Sequence, residues 1–70
     1  MKKVAKYGNA TMKSAQSVYS DSLLKNKIGS VGNGEGVYFE GSCSGNDMIV
    51  YQCGTYYKAG FVKGGTVKKN

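Results

Sequence analysis

Seventy residues with a net charge of +6 and no His, Trp, Arg or Pro make one small domain at most. So short a chain buries a modest core, with about 3–5 kcal/mol of net stability, and leaves little room for an enclosed catalytic cavity. Without His the commonest general base and metal ligand is missing, and the carboxylates Asp21, Glu35, Glu40 and Asp47 are scattered, three of them beside Gly or Ser as turn residues are. The chain therefore reads as non-enzymatic, with no cofactor and no metal.

The positive charge is not spread evenly. Residues 14–62 hold Lys25, Lys27 and Lys58 against all four acids, three minus four, and so sum to −1. The excess lies in Lys2, Lys3, Lys6 and Lys13 at one end and Lys63, Lys68 and Lys69 at the other. Basic ends are commonly solvated tails; the functional reading is attraction to a polyanion such as nucleic acid, teichoic acid or an anionic membrane surface. Lysine without arginine lacks the bidentate fork used in base readout. No stretch spans a membrane, since the longest apolar run is Met48 to Tyr51 and a spanning helix needs about 20 apolar residues. Lys2 and Lys3 resemble the start of a signal peptide, but no apolar stretch follows them.

In chain order, residues 1–9 form a basic tail or a first strand. Ala10 and Met12 alternate as strand residues do. Serines and Asp21 lower the helix propensity of the segment that follows, so it reads as an extended loop through about Lys27. Ile28 to Val31 is a short strand, and Gly32 to Gly36 a turn of residues that tolerate positive φ. That turn lacks the Lys-Ser/Thr pair and helix of a phosphate loop. Val37 to Gly41 is the clearest strand: Val37 and Phe39 face the core, Tyr38 and Glu40 the other way. Ser42 to Asp47 is a polar turn, and Met48 to Cys53 the next strand, with Ile49, Tyr51 and Cys53 on one face and Met48, Val50 and Gln52 on the other. Gly54 opens another turn. Tyr56 and Tyr57 lead to a last strand at Gly60 to Val62, and residues 67–70 form a basic tail.

Gly, Asn and Ser thus cut short apolar runs at spacings of about 10–12 residues, which suits an all-β barrel of five to six short antiparallel strands. SH3-like and OB-like barrels both fit, but an OB-fold usually carries a helix, and no convincing helix is present. Cys43 and Cys53 match no zinc spacing. In a hairpin around residues 44–47 they stand about 15 Å or more apart, too far for a disulfide. Cys53 is expected as a small apolar core residue and Cys43 as a loop residue.

Several of these pieces, in this order, resemble the bacterial SH3 domain family. Ser17-Val18-Tyr19-Ser20-Asp21 occupies the place of the family's Asn-Val-Arg-Ser-Gly stretch. Ile28-Gly29-Ser30-Val31-Gly32-Asn33-Gly34-Glu35-Gly36-Val37 matches its I-G-x-[LV]-x-x-G-x-x-V segment in full. Gly60-Phe61-Val62 matches its closing glycine, aromatic and valine. Met48 stands where the family has a tryptophan, Tyr19 where it has an arginine, and Asp21-Ser22 where it has Gly-Pro. The resemblance covers roughly residues 10–66 and places Ile49, Tyr51 and Cys53 on the buried face.

The family's members are usually accessory modules of autolysins, phage endolysins and exported bacterial proteins. The resemblance implies a non-catalytic module that binds cell-wall peptidoglycan, at its peptide stem or cross-bridge. It further implies a shallow aromatic groove between loop 19–27 and the later strands. The binding candidates are Tyr19, Asp21, Tyr38, Met48, Tyr56 and Tyr57. Each has a structural alternative: a tyrosine caps a small core with its ring and leaves its hydroxyl wet, and Asp21 caps its own loop. Leu23 and Leu24 are adjacent, so at least one is expected at the surface, where it hints at a protein contact.

Two other functions fit the residues. One is a protein-binding module, a phage or mobile-element inhibitor or tether. The other is a basic nucleic-acid-binding barrel, for which tyrosine stacking and lysine ends argue and the near-neutral 14–62 segment argues against. The resemblance places the chain outside the cell or at the wall if it belongs to an exported or phage lytic protein. The sequence read as complete places it in the cytoplasm.

Overall fold

A computed structural model describes residues 8–69. They form seven strands: β1 (Ala10–Met12), β2 (Gln16–Tyr19), β3 (Lys27–Val31), β4 (Gly36–Cys43), β5 (Asn46–Cys53), β6 (Tyr56–Val62) and β7 (Val67–Lys69). All neighbouring strands are antiparallel, in one sheet of order β3-β2-β6-β5-β4-β1-β7. The fold is all-β and SH3-like, a curled sheet that does not close, since β3 and β7 lie at opposite ends of that order.

Alternation dictates the core. Every strand but β7 sends at least one fully buried side chain inward: Ala10 and Met12, Val18, Val31, Val37, Ile49 and Tyr51, and Val62. Ile28, Phe39, Cys53 and Val67 pack around them, partly covered. The expected inner face of β5 is thus observed, with Ile49 and Tyr51 buried and Cys53 at its margin. Both cysteines are free. Cys43 is paired with Asn46 at the first turn and Cys53 lies seven residues along β5, on the order of 23 Å away.

Seven strands exceed the expected five to six. Gln16–Tyr19, expected within a loop, pairs with β3 along its length and with β6 at Tyr19 and Phe61. Val67–Lys69, expected within a tail, pairs with β1. The turn expected over residues 42–47 contracts to Ser44 and Gly45, both at positive φ (57° and 81°), the requirement of a two-residue type I′ hairpin. A β-bulge at Glu40 separates the Phe39–Ile49 and Gly41–Met48 pairs.

Two devices curl the sheet. Met12 donates its N–H to Glu35 O at 2.9 Å and accepts from Gly34 N–H at 2.9 Å, which ties the end of β1 to the β3–β4 turn. Gly60 lets β2 lie directly on β6: a side chain there would overlap Val18 Cγ1 and stand 2.8 Å from Tyr19 O.

Candidate functional site

Residues directly opposite each other on antiparallel strands share a face, so register fixes what the outside of the sheet presents. Opposite inward-facing Ile49, Tyr51 and Val62, the outward positions form three rows. Tyr19, Phe61 and Met48 make the first, with Gly41 beyond Met48. Ala59, Val50 and Tyr38 make the second, and Tyr57 and Gln52 the third. Tyr19, Tyr38, Met48 and Tyr57 therefore stand on one continuous outer face of β2, β6, β5 and β4. Tyr38 and Tyr57 are exposed (39% and 47%), while Tyr19, Met48 and Phe61 are half-buried. The Tyr38 and Tyr57 rings lie 6.3 Å apart at 60°, a tilted pair in the range that aromatic quadrupoles favour.

The other two candidates lie elsewhere. Tyr56 opposes Cys53 beside the β5–β6 turn, at an inward-phase position that the sheet leaves 61% exposed. Asp21 organises the β2–β3 loop. Its Oδ1 accepts from Asn26 N–H at 2.9 Å and from Lys25 N–H at 3.0 Å. The Asn26 bond foremost holds the carboxyl below its ordinary pKa, against a smaller opposing effect of desolvation. Leu23 is 60% exposed and Leu24 half-buried at a φ of 59°.

Loop 20–26 is tied to the β4–β5 turn. Asn46 Nδ2 donates to Ser22 O at 2.8 Å, and Asn46 Oδ1 accepts from Gly64 N–H at 3.0 Å. One amide thus joins three loops. The concavity present is an open groove of about 540 Å³ lined by Ala15, Gln16, Ser17, Ser30, Val31 and Gly32, away from the tyrosine rows.

Charge is segregated from the aromatic face. Lys68 and Lys69 are on β7, where Lys69 Nζ sits 4.6 Å above the Phe39 ring, and Lys13 N–H bonds Thr66 O beside them. Lys58 points inward and donates to Ile28 O at 3.0 Å. At the outward positions of β4, β5 and β6 the one charged residue is Glu40. The other three carboxylates are engaged within the fold: Asp21 as above, Glu35 by Gly32 N–H at 2.8 Å and Asp47 by Ser42 Oγ at 3.0 Å. Glu40 has no hydrogen-bond or ion-pair partner among the described residues.

Sequence reasoning singled out the tyrosines and, by alternation, put Glu40 and Val50 on outward positions without naming them as binding candidates; Phe61 needs the register of β2 on β6. Among the described residues no three His, Cys, Asp or Glu side chains are grouped as a metal site would need, and no helix is long and apolar enough to cross a membrane.

These features define a small all-β, SH3-like domain with an aromatic outer face. No protein-family model, no curated protein and no solved structure matches the chain.

Proposed function

We propose that the chain is a non-catalytic binding module for bacterial cell-wall peptidoglycan, engaging its peptide stem or cross-bridge on the outer face of β2, β6, β5 and β4. The observation that carries the reading is the continuity of Tyr19, Phe61, Met48, Val50, Tyr38 and Tyr57 across four strands. Extended peptides gain from such rings, whose faces take up apolar and polar groups at little entropic cost. The contact surface is then this outer face of the sheet.

Sedimentation with purified Gram-positive sacculi tests the proposal. The parent protein should co-sediment at moderate salt, and Tyr38→Ser/Tyr57→Ser should weaken retention at least about tenfold. No retention of the parent protein would sink it.

A protein partner is the second reading, favoured by the half-buried apolar row Tyr19, Phe61, Met48 on this face. The tyrosines and the lysine-bearing strand β7 belong to different parts of the sheet, which weighs against a nucleic-acid groove, where rings and cations interleave.

A further inference from the structure

Glu40 is an exposed anion with no hydrogen-bond or ion-pair partner among the described residues, two positions from Tyr38 of the tyrosine pair. It follows Tyr38 by two residues on β4, about 7 Å along the strand, as the extra residue of the bulge between the Phe39–Ile49 and Gly41–Met48 pairs. Tyr57 lies on the other side of Tyr38, one row along. The order along the face is therefore Tyr57, Tyr38, Glu40, with Met48 beside Glu40 across the bulge. No lysine occupies an outward position of these three strands.

Two tilted electron-rich rings with a carboxylate that has no partner among the described residues are complementary to one kind of group above others: an organic cation whose charge is spread over C–H or N–H hydrogens. The ring faces attract it electrostatically, and the carboxylate supplies a full opposite charge at the edge. An anionic ligand is repelled by Glu40, and a neutral one gains at most a hydrogen bond from it. We propose that Tyr38, Tyr57 and Glu40 form a subsite for an alkylammonium group. The inference rests on the reading that the outer face is the binding face. Two sources share this chemistry: the primary ammonium of a lysine or diamino-acid side chain within a peptide, and a quaternary ammonium of the choline kind.

The test uses the full chain, with amide and tyrosine-ring chemical shifts followed during titration. The probes are tetramethylammonium chloride, Nα-acetyl-lysine methylamide and the uncharged Nα-acetyl-norleucine methylamide, all at constant ionic strength. An alkylammonium probe should saturate shifts at residues 38, 40 and 57, with weak affinity on the order of millimolar. Glu40→Gln should weaken binding about fivefold, and Tyr38→Leu should weaken it at least as much. Both are exposed positions, so the variants' retained shift dispersion reports that they fold. Saturation by the lysine probe alone, or by tetramethylammonium alone, supports the subsite and identifies its source. Equal response to the norleucine probe, or no saturation by either cation, overturns it.

Sedimentation with sacculi separates this inference from the reading beneath it. Retention without any ammonium response removes the subsite and leaves the wall-binding reading standing. Ammonium saturation without retention does the reverse.

Discussion

Gly60→Ala is the substitution on which the account of the fold is most exposed. Gly60 is fully covered, opposite Ile49 on β5 and beneath β2. An added methyl would overlap Val18 Cγ1, lie 2.8 Å from Tyr19 O and 3.2 Å from Ile28 Cδ1. Val18 is itself completely buried, and Tyr19 O belongs to backbone, so neither can step aside freely. Overpacking of this kind costs roughly 1–3 kcal/mol. Against it stands the gain of replacing glycine in a strand interior, about 0.5–1 kcal/mol. With a backbone atom among the obstacles, the net loss should be about 2 kcal/mol, which lowers Tm by about 8–16 °C in a domain of this size. Because β2 is registered on β6 through the single pair Tyr19–Phe61, the damage should concentrate there.

Urea unfolding of the parent, Gly60→Ala, Val18→Ala and the double variant, in a stabilising osmolyte, separates the causes. Val18→Ala alone removes two buried methyl groups and should cost about 2 kcal/mol. It also clears the nearest obstacle to the Gly60 methyl, so the double variant should be about 1 kcal/mol more stable than the sum of the singles implies. A Gly60→Ala protein within about 0.5 kcal/mol of the parent would refute the close-approach argument. Strict additivity would show that Val18 is not the obstacle.

Ser44→Asn should stabilise the β4–β5 hairpin by about 0.5 kcal/mol, because asparagine tolerates the positive φ of that position better than serine; a lower Tm would count against the type I′ assignment. Asp21→Asn should change the acid limb of stability. A carboxyl held below its ordinary pKa contributes stability that is present above about pH 4 and is lost as pH falls through the lowered value, so the parent's advantage over the variant should shrink in acid. A pH-independent difference would show that charge is not the cause. The Tyr51 hydroxyl is buried without a protein hydrogen-bond partner among the described residues, and Gly29 leaves it the space it occupies. Tyr51→Phe should therefore raise stability by about 1 kcal/mol in chemical denaturation, and a loss of that size would reveal a bond to the hydroxyl.

Local pattern made β3 to β6 legible. Val37, Ile49 and Tyr51 alternate with outward residues, and glycines with φ demands punctuate the strands between them. The strands that escaped are those with little apolar alternation. In β2 only Val18 is fully buried among polar neighbours, and β7 holds one apolar residue followed by two lysines. β2 is a strand through its pairing with the next strand, β3, and β7 through a partner distant in sequence, β1, neither of which periodicity reports. The hairpin at 44–45 is tighter than its composition implied because Ser42, Cys43, Asn46 and Asp47 are polar yet paired. The site divided the same way. Tyr38 and Tyr57 were visible as aromatics at a surface, but their meeting across β5, and Glu40's standing beside them, depend on register. Nothing local announces either that Asn46, 24 residues after Ser22, holds loop 20–26.

The Asn46 amide reaches segments 24 residues before it and 18 residues after it in one step. Small domains commonly clip such distant loops with a disulfide. Here the clip is an amide, and the two thiols are spent elsewhere, one exposed beside the turn and one at the margin of the core. The clip itself consequently has no disulfide for a reductant to break: thiol reductants should leave the three loops joined.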